Sequence, residues 1–418
     1  MQRHLSDIPV IVDENGDVAV SSGKLGVVGI GDGNAGDFAL LEENGNTIFR
    51  YSLPHGGVVI DKKGNVYLSS GKITGAFALD IVVKLNSLGR NIWSSSTIKQ
   101  QPPDWTDNGG SVYITLDTND DLLLCGQEWE DPSDIWKLNG VTGEIIWSRY
   151  TGMTITQGLR HLATDSENNV IVVGSGQTRD DHFVVMKYDS DGQLIWGQTG
   201  IPPAISLYPE SFSVCVDPDD NIYISIFNVF QTGPPEGNVI AIKYDKFGNE
   251  ISKIFPPQSF IDEFPAATGY AGFPITCDHL GNMFMIFKPS SLNQKRLFSL
   301  NPDGEERWIS DVLGVGSVVE KLTVDSTGNL FVSREFLGIR YVDGATGAVL
   351  TDYPLPSNFP TRVDLVTVSR PEALIGPILS GPSNLFDSGH FLDYNIPAPD
   401  QPFVGSEGDE AQVPGDIN

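Results

Sequence analysis

Several short stretches of this 418-residue sequence hold residue types that could do chemistry. Asp189-Ser190-Asp191-Gly192 opens like a calcium loop. So do stretches beginning at Asp13, Asp117 and Asp217, for example Asp217-Pro218-Asp219-Asp220-Asn221. A calcium loop needs about six or more oxygens, usually with a bidentate carboxylate further along. Leu194, Ile195 and Trp196 follow the first stretch and supply none. The same residues have a second use. Asp and Asn side chains bond their own backbone two residues on, and Gly and Asn tolerate the positive φ of hairpin turns. Turn chemistry is therefore expected. A structural calcium ion at one turn is left open, and no other cofactor is expected.

A literal GxGxxG stands at Gly31, Gly33 and Gly36. Phosphate binding there would require a helix opening directly behind it. DFALLEENGN (37–46) follows instead and reads as strand then turn, so the segment is taken as a blade loop. Nucleophilic catalysis has little support, because no GxSxG or HExxH occurs. The six histidines (His4, His55, His161, His182, His279, His390) are scattered. Cys125, Cys215 and Cys277 lie far apart, the last two in apolar strand-like runs. Buried free thiols are expected of all three. No catalytic residue is assigned.

The 54 acidic and 26 basic side chains give a formal charge of −28. That field repels phosphate, which argues against nucleic acid and against an anionic membrane surface. No apolar run reaches the roughly 18 residues of a membrane span, so no insertion is expected. The opening residues MQRHLSDIPVIVDENGD lack a basic segment followed by an apolar one, and no export signal is expected.

The elements that must position these residues come from a repeat. Apolar run, Asp, turn, Asn or Asp and a second apolar run recur around Asp13, Asp61, Asp117, Asp165, Asp217, Asp278 and Asp325. Their spacing is 47 to 61 residues. A second hairpin follows each, as in KLNSLGRNIW (84–93), KLNGVTGEIIW (137–147), KYDSDGQLIW (187–196), KYDKFGNEIS (243–252) and SLNPDGEERW (299–308). Weaker copies are LLEENGNTIF (40–49) and YVDGATGAVL (341–350). Two hairpins per repeat make four strands, and stacked four-stranded units at this period are propeller blades. The fold class expected is an all-β, seven-bladed propeller over residues 1–353. Residues 354–396 are read as a β extension on blade seven or as a decayed eighth blade whose last strand comes from the N-terminus, and 397–418 as a flexible acidic tail.

KYDSDGQLIW and NGVTGEIIW resemble the repeats of quinoprotein-like (PQQ-like) propellers and of bacterial or phage seven-bladed propeller repeat proteins. The resemblance covers roughly residues 8 to 353. It implies that the residues four after each hairpin glycine pack between neighbouring blades. These are Phe49, Trp93, Trp147, Trp196, Ser252, Trp308 and Thr351. The quinone dehydrogenases among them also need a catalytic aspartate with a calcium site, commonly beside a vicinal disulfide. This sequence has no adjacent cysteine pair. A quinone- or calcium-dependent oxidoreductase is therefore only the third reading.

Two tryptophans break the register, Trp105 in PPDWTDNGG and Trp129 in GQEWEDPSD. Both fall in long connections expected on one rim, with Asp104, Asp107, Glu128, Glu130 and Asp131 around them. Tyr208 and Glu210, with Phe260, Asp262 and Glu263, would extend that rim. Loop tryptophans among carboxylates suit a protein partner or a sugar. The leading expectation is a non-catalytic scaffold presenting an acidic face to a protein or larger assembly, such as a phage tail or capsid. A carbohydrate-binding or carbohydrate-cleaving propeller is the alternative.

Overall fold

The computed structural model describes residues 10–12, 18–20, 25–30, 35–41, 47–54, 57–61, 63–69, 82–95, 112–126, 134–151, 159–174, 183–200, 213–225, 239–263, 270–289, 295–311, 313, 322–325, 327–334, 338–353 and 362–368. The strands form antiparallel sheets, most of them four-stranded meanders.

The N-terminal part holds the hairpin β1 (Val10–Val12)–β2 (Val18–Val20), then β3 (Leu25–Ile30), β4 (Ala35–Leu41) and β5 (Thr47–Pro54). The Asp61 blade is β6 (Val58–Ile60), β7 (Val66–Ser69), β8 (Val82–Leu85) and β9 (Asn91–Ser95). The Asp117 blade is β10 (Val112–Leu116), β11 (Leu122–Gly126), β12 (Asp134–Leu138) and β13 (Ile145–Tyr150). The Asp165 blade is β14 (Leu159–Thr164), β15 (Val170–Gly174), β16 (Phe183–Tyr188) and β17 (Leu194–Gly200). The Asp217 blade is β18 (Val214–Val216), β19 (Ile222–Ser225), β20 (Ala241–Tyr244) and β21 (Glu250–Ile254). A short helix, α1 (Gln258–Glu263), leads to the Asp278 blade: β22 (Tyr270–Cys277), β23 (Met283–Pro289), β24 (Arg296–Leu300) and β25 (Glu306–Ser310). The Asp325 blade is β26 (Leu322–Val324), β27 (Leu330–Arg334), β28 (Gly338–Val342) and β29 (Val349–Tyr353), and β30 (Arg362–Val368) follows it.

Six repeats thus form one contiguous blade each. The expected count of seven blades is corrected to six, and the difference lies in the first repeat. Its opening hairpin, β1–β2, stands as a two-stranded sheet of its own. The four-stranded sheet there runs β30-β3-β4-β5, with β3 pairing antiparallel to β30 from Leu25↔Val368 to Ile30↔Arg362. The physical reason lies in β3, whose LGVVGI needs partners on both edges and takes one from the far end of the chain. The described residues of 354–396 hold β30, which pairs with a strand from the N-terminal part and forms no separate eighth sheet. β30 completes an existing sheet, and packs against β26 and β27 on one side and β6 on the other. Residues 397–418 lie outside the described residues.

The core lies between blades. Second strands are buried along their whole length, as in VIVVG of β15 and VYLS of β7, because both faces meet a neighbouring sheet. One cluster joins Leu123, Cys125 and Trp147 to Leu162, Val172 and Met186 of the next blade. Another joins Tyr223 and Ile240 to Ile275, Met285 and Phe298.

Candidate functional site

Among the described residues six repeats close their first hairpin with the aspartate that marks the repeat. Asp61 Oδ1 accepts the backbone N–H of Lys63 and Asn65, at 3.0 and 2.8 Å. Its Oδ2 accepts Asn65 Nδ2 at 2.8 Å. Asp165, Asp217 and Asp278 repeat all three bonds. The residue three positions on takes positive φ. It is glycine at Gly64, Gly281 and Gly328, and Asp120, Asn168 or Asp220 elsewhere. Asp and Asn are among the few side-chain-bearing residues that adopt this conformation readily. Asp189, the start of the apparent calcium loop, likewise accepts the N–H groups of Asp191 and Gln193. Among the described residues no group of three or more His, Cys, Asp or Glu side chains is placed to hold a metal ion.

The buried half of this device is a lysine on the third strand. Lys137 Nζ lies 2.8 Å from Asp117 Oδ2, and Lys187 Nζ lies 2.7 Å from Asp165 Oδ2. Lys84 with Asp61 and Lys243 with Asp217 are looser, at 3.7 and 3.8 Å. The lysines also reach the next blade. Lys84 donates to Gly140 O, Lys187 to Lys246 O and Lys243 to Pro302 O. In the Asp325 blade a tyrosine stands where these four blades have lysine. Tyr341 donates to Asp325 Oδ2 at 2.6 Å, and burial with that contact pushes its phenol up to about 12. Burial, then the Asp61 carboxylate, raises Tyr67 well above the usual tyrosine range.

The tryptophan register packs between blades as the resemblance implied. The rings of Trp93, Trp147, Trp196 and Trp308 lie on Gly143, Gly192, Gly248 and Gly347 of the following blade, and Phe49 on Gly89. A Cβ at any of these glycines would fall within 3 Å of the ring. The indole N–H groups donate to turn carbonyls beside them, at Gly140, Ser190, Lys246 and Gly344. Where Ser252 replaces the ring, Gly304 has nothing within 4 Å. Gly140 is the position that the sequence reading missed. Its carbonyl takes Lys84, Trp93 and Tyr67 together, and a Cβ there would stand 1.9 Å from Asp120 O. Gly344 repeats the arrangement against Gly328 O. The signal was present: only these two second hairpins carry an extra residue and begin Asn-Gly or Asp-Gly.

Trp105, Trp129, Asp104, Asp107, Glu128, Glu130, Asp131, Tyr208 and Glu210 lie outside the described residues. Phe260 is corrected from rim to core. It is buried on α1 against Phe287, with ring centroids 4.2 Å apart. Asp262 accepts from Gln258, and Glu263 pairs with Arg296 at 2.6 Å; both acids are exposed. The free-thiol reading is corrected for two cysteines. Cys215 on β18 and Cys277 on β22 form a disulfide between the first strands of adjacent blades, with Cα atoms 6.1 Å apart. Spacing along the chain could not show this, since the pairing depends on which blades are neighbours. Cys125 is free and buried, and burial pushes its thiol up.

This is an all-β propeller of four-stranded antiparallel blades, tied blade to blade by repeated polar latches. No protein-family model matches the sequence, and no curated protein matches it either. Among solved structures, a protein of unknown function from Bacteroides caccae is similar at 12% identity and a TM-score of 0.44. The likeness covers 83% of this chain and 98% of that one. BamB from Moraxella catarrhalis is similar at 12% identity and a TM-score of 0.42, over 76% and 82%. Both are likenesses of shape alone.

Proposed function

We propose that this protein is a non-catalytic interaction scaffold, a rigid propeller that presents a strongly acidic surface to a macromolecular partner. One observation carries the reading: the recurrent carboxylates, amines and indole N–H groups are engaged in closing turns and joining blades. Asp61, Asp117, Asp165 and Asp217 hold turn amides and lysines, and Lys84, Lys187 and Lys243 hold carbonyls of the next blade. Side chains fixed in this way build a platform and leave recognition to the connections between blades. The charge of −28 favours a partner with a basic face. We read the composite sheet β30-β3-β4-β5 as the element that closes the ring and keeps the platform rigid. The loops around Trp105 and Trp129 are the contact region within this proposal, and a phage tail or capsid is one assembly it would suit.

The test is isolation of the native protein under gentle lysis at low salt, followed by native mass measurement. A stable complex or particle is expected, weakened by Trp105→Ala/Trp129→Ala and by raised salt. Recovery as a free monomer at every salt concentration would overturn the scaffold.

A further inference from the structure

The outermost strand of a blade leaves one row of backbone N–H and C=O groups unpaired, and charged residues or proline normally guard such an edge. β13 carries Arg149, β21 carries Glu250 and Lys253, β25 carries Glu306 and Arg307, and β29 carries Asp352. The outer strand of the composite sheet, β5, has Arg50 and Pro54. β17 has neither a charged residue nor a proline across its seven residues, LIWGQTG, and shares with the other outer strands only the irregularity at its start, between Leu194 and Trp196. β9 is also uncharged but has only five residues, and its Ile92 is half-buried. Among the described residues β17 is the terminal strand of its sheet, its backbone paired with β16, while Trp196 and Gln198 donate from their side chains to Lys246 O and Gly248 O of the next blade. Leu194 and Ile195 on it are 56% and 50% exposed.

The apolar surface does not stop at this strand. Trp147 seats on Gly192 and so sets exposed Ile145 and Ile146 beside the start of β17. Trp196 seats on Gly248 and brings Phe247, 70% exposed, to the other side. The exposed charges along this row are mainly acidic: Glu144, Asp191 and Glu250. Arg149 turns its guanidinium onto the carbonyls of Gly192 and Asp191, and Lys246 lies over the Phe247 ring.

We propose that β17 is a docking edge, and that its occupant is an extended segment of another protein that alternates basic and β-branched residues. The segment would add as a fifth strand, its main chain on the free edge and its apolar side chains beside Leu194 and Ile195. Charge decides against a second copy of this chain. Each copy carries −28, and edge-to-edge pairing would bring Asp191 and Glu144 of both together with no basic residue on either β17. The inference rests on the scaffold reading but names a surface separate from the Trp105 and Trp129 loops.

The test uses the full-length protein and three fluorescent octapeptides. They alternate Lys and Val, alternate Glu and Val, or repeat the Lys/Val sequence with N-methyl groups along one edge. Saturable binding of the Lys/Val peptide is expected, at least tenfold weaker for the other two. It should weaken at least tenfold in Leu194→Lys/Ile195→Lys, a change confined to exposed positions. Amide exchange should slow over 194–200 when the peptide binds. No binding, equal binding of the N-methylated peptide, or protection elsewhere would overturn the proposal. A β17-dependent dimer in light scattering would also overturn it, in favour of a second copy. If β17 proves silent while gentle lysis still yields a complex, only this inference falls. The comparison among peptides on wild-type protein stands even where the lysine variant folds poorly.

Discussion

At the scale of single residues, the glycines and tryptophans of the second hairpins form a set of matched surfaces. Gly140 is the most constrained, because a methyl group there would meet the Asp120 carbonyl at 1.9 Å and displace a backbone that three donors share. Gly140→Ala should cost about 1–3 kcal/mol, the usual range for forced overpacking. Urea unfolding measures this, and a midpoint equal to wild type would show that the turn relaxes freely. The reverse change is available at Ser252. The space over Gly304 is open where four other blades place a tryptophan, so Ser252→Trp should raise stability by about 0.5–2 kcal/mol. A lower melting temperature would show that the slot is shaped for something else. This register was legible from the sequence because four residues separate ring and glycine wherever the hairpin recurs. The use of Gly140 was not, since its constraint comes from a carbonyl 20 residues away in the chain.

At the scale of elements, the same contrast between local and distant causes governs what could be read. Six aspartate hairpins were legible because the turn is closed by its own side chain within five residues. The lysine partner was not recognised, although KLN and KYD repeat, because a lysine in a strand usually reaches solvent. Lys187 instead has a side chain 4% exposed and faces Asp165 at 1%. Lys187→Met should therefore cost about 3–5 kcal/mol by leaving a buried carboxylate unpaired. Asp165→Asn in the same chain should recover part of that loss, and simple addition of the two costs in a double-mutant cycle would argue against a direct pair. The disulfide is an element-scale tie as well, closing 62 residues between β18 and β22. On chain entropy alone it is worth up to about 4 kcal/mol. Thiol titration of the unfolded, unreduced protein should find Cys125 alone, and reduction should lower the melting temperature. Three free thiols before reduction would remove the tie.

At the scale of the whole molecule, the decisive feature is the pairing of an N-terminal strand with one from the C-terminal part, which the sequence leaves as one of two alternatives. The sequence marks hairpins, and a hairpin has both strands close together; β3 and β30 are separated by more than 330 residues. The apolar run VDLVTV marks a strand, but nothing in it names LGVVGI as its partner. Their pairing changes what the C-terminal stretch is for. Truncation after Val368 keeps β30, and truncation after Tyr353 removes it along with its contacts to β26, β27 and β6. The shorter chain leaves β3 as an open edge and the faces of two neighbouring blades uncovered, a combination that favours both unfolding and self-association. It should unfold at a clearly lower urea concentration than the longer truncation and should form concentration-dependent oligomers in light scattering. Comparing the two truncations with each other isolates β30 from everything beyond it. If they unfold alike and both stay monomeric, β30 does not hold the composite sheet, and the ring must be closed by the first repeat's own strands.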